Sequence, residues 1–138
     1  MTDVVSSAGP QGGQPVDPNP RPARPEPTDQ DLAGFELVAL LGDIGANGLL
    51  GLRTVGGTRV CLVKIGAVVR AIANNCTHRD FPMSEGEIVE EGQVECAWHG
   101  ARFDTATGEA VQGPAHKDIV RYAVRQRGDE IWVGGVMH

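Results

Sequence analysis

The sequence predicts an all-β domain built as an antiparallel β-sandwich or small barrel. From Asp31 onward, short apolar runs alternate with turn signals about every ten residues, the spacing typical of these folds. No apolar pattern with a helical period continues for three turns, so helix should be scarce. At 138 residues the chain is long enough for one domain with a core and too short for two of ordinary size.

The predicted framework strands lie on both sides of a central segment, residues 74–115. Before this segment, Gly56-Gly57 is a hairpin signal, because glycine adopts positive φ at little cost. After it, Val120, Tyr122 and Val124 alternate with charged residues, which is the period of a half-buried strand. The framework strands are predicted at Phe35–Leu41, Leu49–Val55, Thr58–Ile65, Val68–Ile72, Ile119–Arg127 and Ile131–Val136.

The central segment is predicted to be a small β-hairpin unit inserted in the larger sheet. Residues 79–86 contain Pro82 and Gly86 and should be loop. The short strands expected here are Ile88–Val89, Gln93–Cys96 and Arg102–Asp104, followed by a turn at Thr105–Gly108.

Residues 1–30 are predicted to be a disordered, proline-rich tail, and residues 31–138 the folded domain. Seven of the nine prolines fall in the tail, together with Gly, Gln, Ser and Asp. Such a composition cannot bury enough apolar surface to offset the entropy of ordering the chain.

Charge and hydropathy exclude several functional classes. The formal net charge of −6 argues against nucleic-acid binding, which requires Lys and Arg against phosphates. No apolar stretch has the length needed to cross a bilayer, and the N-terminus lacks the charged and apolar regions of a signal peptide. We therefore expect a cytoplasmic location.

The chemistry is concentrated in two short arms, Cys76-Thr77-His78 (the first arm) and Cys96-Ala97-Trp98-His99 (the second arm). Zinc fingers usually keep their two cysteines together and their two histidines together. Here each arm mixes one thiolate with one imidazole. This mixing suits a two-iron cluster, in which Cys76 and Cys96 hold one iron and His78 and His99 hold the other.

The arms and the residues after them resemble the Rieske-type ferredoxins. The resemblance runs through Cys96-Ala97-Trp98-His99-Gly100, Phe103-Asp104-x-x-Thr107-Gly108 and Gly113-Pro114-Ala115, and it covers residues 34–136. It implies one Rieske-type [2Fe–2S] cluster bound by Cys76, His78, Cys96 and His99. It also implies a Rieske-like fold with a cluster-binding subdomain at residues 74–115. In this subdomain the Gly113-Pro114-Ala115 segment would cover the cluster.

The resemblance further implies a soluble one-electron carrier, the ferredoxin component of a bacterial ring-hydroxylating dioxygenase system. Such a component takes an electron from a flavin-dependent ferredoxin reductase and passes it to a terminal Rieske oxygenase. We do not expect an enzyme, because an oxygenase needs a second, mononuclear iron held by two His and one carboxylate. The remaining histidines, His116 and His138, show no recognisable spacing for such a site.

Two alternatives share the ligand motif or the fold. The small subunit of an assimilatory nitrite reductase has this fold, although many such subunits lack the four ligands. A zinc-stabilised interaction module would use the same side chains without iron. The membrane-anchored respiratory Rieske protein is disfavoured, because the positions of its extra cysteines are Phe81 and Trp98 here.

Three further expectations concern neighbouring residues. Cys61, in an apolar run, should be a small buried hydrophobe. The acidic residues between the arms, opposed there by Arg79 alone, form either a solvated face or a docking surface for a basic partner; they are Asp80, Glu85, Glu87, Glu90, Glu91 and Glu95. Ala101 and Phe103 stand where high-potential relatives carry two hydroxyls that donate hydrogen bonds to the cluster, so a low potential is expected.

Overall fold

The computed structural model describes residues 26–77, 81–90, 92–97, 100–113 and 117–137, and its all-β architecture confirms the predicted fold class. Two 3-10 helices, Leu41–Asp43 and Met83–Glu85, are the helical elements in these ranges. The strands are β1 (Glu36–Leu40), β2 (Leu49–Arg53), β3 (Arg59–Ile65), β4 (Val68–Ala73), β5 (Glu87–Val89), β6 (Gln93–Glu95), β7 (Arg102–Asp104), β8 (Ala110–Gln112), β9 (Arg121–Arg127) and β10 (Glu130–Met137).

The larger sheet has six antiparallel strands in the order β1-β10-β9-β4-β3-β2. Strands β1 and β2 follow each other in sequence but stand at opposite edges, so the sheet curls toward a barrel. The carboxylate of Glu36, in β1, accepts a hydrogen bond from the backbone N–H of Val55, just after β2, at 3.0 Å. This bond joins the two edges at one end.

Strand β3 lies at the centre of the core, because its run Val60-Cys61-Leu62-Val63 is fully buried. Successive side chains of a strand point to opposite faces, and the two faces of β3 fill two different clusters. Val60 and Leu62 pack in a hydrophobic cluster formed mostly by residues of the large sheet. Cys61 and Val63 pack in the cluster that contains both motif cysteines. The large sheet therefore supports the candidate site directly.

The smaller sheet, β5-β6-β7-β8, is inserted between β4 and β9, as expected for the central segment. Its core residues are Val94 of β6 and Phe103 of β7, which are paired across the two strands and fully buried. Strand β8, which pairs with β7, was not among the predicted strands. The other predicted strands are confirmed, β7 with the predicted bounds and the rest with ends shifted by one or two residues.

The residues before β1 contact the turn between β9 and β10. Glu26 accepts a hydrogen bond from the backbone N–H of Gly128 at 2.8 Å, and Asp29 pairs with Arg127 at 2.8 Å. Residues 1–25 lie outside the described ranges, so the disordered tail and its boundary at residue 30 stay a prediction. Within those ranges, no helix combines the length and the apolar character needed to cross a membrane.

Candidate metal centre

The two motif cysteines follow strands of different sheets and meet in one buried cluster. Cys76 comes after β4 of the large sheet, and Cys96 comes directly after β6 of the small sheet. Their exposed fractions are 2% and 1%, and both belong to the cluster that includes Met83 and Phe103. All three cysteines of the chain are buried and none forms a disulfide. The fold thus gathers two thiols at the junction of the sheets.

Each motif cysteine begins a loop that is closed in the same way. The backbone N–H of Cys76 donates to the carbonyl oxygen of Phe81 at 2.9 Å, and that of Cys96 donates to Ala101 at 2.7 Å. Both bonds span five residues. Gly100 turns the second loop with φ +77°, a conformation that favours glycine. The two motif cysteines therefore begin a pair of loops that are closed by the same kind of backbone hydrogen bond.

The first loop is braced against the large sheet by Asn74 and Ser84. The backbone N–H of Asn74 donates to the carbonyl oxygen of Arg59 in β3 at 3.1 Å. The side-chain oxygen of Asn74 accepts from the backbone N–H of Ser84 at 2.8 Å. The residues before Cys76 are therefore bonded to the framework, and the residues after its loop are bonded back to them, so the position of Cys76 depends on residues outside the motif.

The second loop is braced by an ion-pair cluster that the sequence reasoning missed. Arg102 donates through Nε to Glu95 at 3.0 Å and through Nη1 to Glu90 at 3.3 Å. Two of the acidic residues between the arms are therefore paired with a base that lies outside the segment. That base, Arg102 on β7, comes seven residues after Glu95. Glu85 and Glu87 are exposed and remain the described candidates for a docking face.

Cys61 lies in the same hydrophobic cluster as Cys76 and Cys96 but is a core side chain, as expected. It is fully buried in β3, and its thiol donates to the carbonyl oxygen of Leu62 at 3.7 Å. Burial raises the pKa of this thiol to about 12, against a smaller opposite effect of a backbone hydrogen bond from Leu50. A thiol that stays protonated is a poor nucleophile and a poor metal ligand.

Ala101 and Phe103 line this region with apolar surface. Both are fully buried and belong to the cluster of the two motif cysteines. Neither carries a hydrogen-bond donor on its side chain. The two positions at which the sequence lacks hydroxyls are therefore buried in the same hydrophobic cluster as the motif cysteines.

The other residues singled out from the sequence lie outside the described ranges. These are His78, Arg79, Asp80, Glu91, Trp98, His99, Pro114, Ala115, His116 and His138. The structure therefore brings together the two cysteines of the expected ligand set. The ligand role of the two histidines stays a prediction.

Comparison with known proteins identifies the family. The signature of the Rieske [2Fe–2S] domain matches residues 37–123, and the chain belongs to this family. A ferredoxin component of a naphthalene 1,2-dioxygenase system from Pseudomonas putida is 38% identical over 91 residues, 66% of this chain and 85% of the relative. A ferredoxin component of naphthalene 1,2-dioxygenase/salicylate 5-hydroxylase systems from Ralstonia sp. is 37% identical over 87 residues, 63% of this chain and 82% of the relative.

A solved structure shares the fold. The ferredoxin of carbazole 1,9a-dioxygenase from Nocardioides aromaticivorans IC177 superposes with a TM-score of 0.67 and 29% identity, covering 73% of this chain and 97% of the other. Family membership assigns one Rieske-type [2Fe–2S] cluster to this chain. The described residues fit this iron–sulfur cluster, because two buried cysteines in one hydrophobic core can supply the two thiolate ligands of a Rieske centre.

Proposed function

We propose that this protein is the ferredoxin component of a ring-hydroxylating dioxygenase system, carrying single electrons from a flavin-dependent reductase to a terminal oxygenase. The observation that carries the proposal is the match to ferredoxin components over 82% and 85% of their length, together with two buried motif cysteines inside the span that matches the Rieske domain.

The proposed ligand set is Cys76 and Cys96 on one iron and His78 and His99 on the other. The cluster, when bound, takes up and returns one electron without making or breaking bonds in a substrate. The residues of the chain do the rest: the paired loops hold the two thiolates, and Met83 and Phe103, both fully buried, exclude water beside them. Rigid surroundings of this kind keep the rearrangement that accompanies electron transfer small.

A cytoplasmic location belongs to the same proposal. Its support is chemical: all three cysteines are buried without a disulfide, and the reductase that we propose draws on a nicotinamide donor. A reducing compartment suits both features.

Reconstitution of the electron path tests the proposed function. Holoprotein is mixed with a flavin-dependent dioxygenase reductase and a nicotinamide donor, and its visible spectrum is followed before and after addition of an oxidised Rieske oxygenase. We expect bleaching on reduction and rapid recovery on mixing with the oxygenase. Cys61→Ala, which leaves the proposed ligands in place, should behave as wild type, whereas Cys96→Ala should carry no electrons. A wild-type protein that is reduced but is not reoxidised by any Rieske oxygenase tested would contradict the proposal.

A further inference from the structure

Three hydrogen bonds between side chains and backbone hold strand β8 and the segment Lys117-Asp118 that comes before β9. The carboxylate of Asp118 accepts from the backbone N–H of Ala110 at 3.1 Å and joins this segment to β8. The side-chain amide of Gln112 donates to the carbonyl oxygen of Gly100 at 3.0 Å. The hydroxyl of Thr77 donates to the carbonyl oxygen of Lys117 at 2.6 Å. We call these last two bonds the Gln112 tie and the Thr77 tie.

The two ties reach both ligand arms. Thr77 is the middle residue of the first arm, and Gly100 directly follows the second arm. The Thr77 tie joins residues that are 40 positions apart, and the Gln112 tie joins residues 12 positions apart. The segment Lys117-Asp118 is therefore bonded to the first arm, β8 is bonded to the second arm, and the Asp118 bond joins the two.

The strands alone fix the second arm better than the first. Gln112 pairs with Arg102 across β8 and β7, so its backbone is already held beside Gly100. The Thr77 tie has no such support from a strand ladder at residue 77, which lies in a bend after β4. Both ties are solvent-accessible, where a hydrogen bond contributes roughly 0.5–1.5 kcal/mol net. Their value to the site lies in geometry more than in overall stability.

We propose that Thr77 and Gln112 are positioning residues that hold the two ligand arms at a fixed separation, linked to each other through the hydrogen bond between Ala110 and Asp118. Metal ligands must stay within about 0.2 Å of their ideal distances, and supporting hydrogen bonds are the usual means of achieving this. The inference rests on the proposed ligand set. Neither side chain is a proposed ligand, because the Thr77 hydroxyl bonds the backbone of Lys117 and the Gln112 amide bonds the backbone of Gly100.

The test is the rate of cluster loss from holoprotein. Oxidised wild type, Thr77→Val, Gln112→Met and the double variant are incubated with an iron chelator, and loss of the visible spectrum is followed. Each single variant should lose its cluster roughly two- to tenfold faster than wild type, the range that one ordinary hydrogen bond supplies. The double variant should be little faster than the faster single variant, because cutting either tie already frees the arms from each other.

Two controls separate positioning from general loosening of the surface. Thr77→Ser keeps the hydroxyl and should restore the wild-type rate. Thr54→Val removes a comparable hydroxyl–backbone bond, the one that Thr54 accepts from the N–H of Thr58 at 3.1 Å, in the turn between β2 and β3. This variant should lose its cluster at the wild-type rate. Paramagnetic resonance spectra at the start establish that each variant begins with the same centre.

The outcomes distinguish this inference from the proposed function. A wild-type protein without a Rieske spectrum would overturn the proposed function and this inference with it. A wild-type Rieske spectrum with unchanged loss rates in both single variants would overturn this inference alone. A double variant whose acceleration equals the product of the two single effects would also overturn this inference. The two ties would then act independently, and no shared link would couple the arms.

Discussion

The backbone N–H of Cys96 donates a 2.7 Å hydrogen bond to the carbonyl oxygen of Ala101. This bond folds the second arm back on itself, so that Ala101, fully buried, lies beside the start of the arm. The side chain at position 101 is therefore well placed to alter the surroundings of the Cys96 sulfur.

Ala101→Ser should raise the reduction potential of the cluster. A hydroxyl that donates toward cluster sulfur stabilises the reduced, more negative state. We expect an increase of at least tens of millivolts, where about 59 mV is a tenfold change in a one-electron equilibrium. Voltammetry measures it. The wild-type midpoint is expected near the lower end of the roughly −150 to +300 mV Rieske range, and a wild-type midpoint well above zero would contradict the assignment.

Phe103→Tyr tests the same idea from β7. Phe103 is fully buried, so an added hydroxyl would be costly unless it finds an acceptor there. If cluster sulfur or the thiolate is that acceptor, the potential should again rise by tens of millivolts. An unchanged potential in both this variant and Ala101→Ser would show that the missing hydroxyls do not set the potential of this protein.

Gly86→Ala should weaken the second arm from a distance. A side chain at this position would run into the carbonyl oxygen of Glu95, the residue before Cys96. Relief requires β5 to move away from β6, at a cost of about 1–3 kcal/mol. The apparent melting temperature should fall by at least about 5 °C. The matched control is Gly42→Ala, where an added Cβ has no atom within 4 Å. Equal melting temperatures for the two variants would refute the predicted collision.

The pKa of Cys61 predicts a pH dependence. The thiol ionises near its ordinary value of 9.0 in the unfolded chain, but burial raises its pKa to about 12 in the folded protein. Its contribution to stability is therefore complete below pH 9 and is lost as the pH rises toward 12, by at most about 1.4 kcal/mol per pH unit.

Cys61→Ala removes this titration, so the comparison of interest is a difference. The gap in apparent melting temperature between wild type and Cys61→Ala should shift in favour of the variant between about pH 8 and about pH 10. Other titrating groups are common to both proteins and cancel. A gap that is the same at both pH values would mean that the Cys61 thiol does not ionise on unfolding.

The acidic residues between the two arms are expected to contribute to association with the reductase or the oxygenase. Changing Glu87, Glu90 and Glu91 to Gln should slow association and flatten its salt dependence, with the cluster spectrum unchanged. Since Glu90 is paired with Arg102, Glu87 should account for more of the effect than Glu90. Glu109→Gln, at an exposed site outside this segment, is the control. Unchanged rates and salt slopes would leave the segment as a solvated face.

Most of the framework was predictable because its strands carry a strong local signal. The buried run at β3 and the alternation in β9 identify strands without reference to the rest of the chain. Strand β8 was missed because Ala110, Val111 and Gln112 are too few to show a period. Val111 is also 42% exposed, so burial gives no signal there either. This strand exists because β7 offers a free edge, which is a tertiary effect.

The site was predictable for the residues that have diagnostic chemistry and not for those that support them. The cysteines and histidines of the arms have a characteristic order. Arg102, by contrast, is an ordinary strand residue until the fold brings it to Glu90 and Glu95. The ties from Thr77 and Gln112 likewise join residues 40 and 12 positions apart, which no local pattern specifies.

The central claim is that Cys76, His78, Cys96 and His99 bind one Rieske-type cluster, and metal analysis with paramagnetic resonance tests it most directly. Purified wild-type protein should contain two irons and two inorganic sulfides per chain, and reduction should give the low-average-g signal of a centre with two nitrogen ligands on its ferrous iron. His78→Ala and His99→Ala should each lose or convert that signal and destabilise the domain, because ligation energy is also folding energy. Native protein with one zinc per chain and no iron would contradict the account.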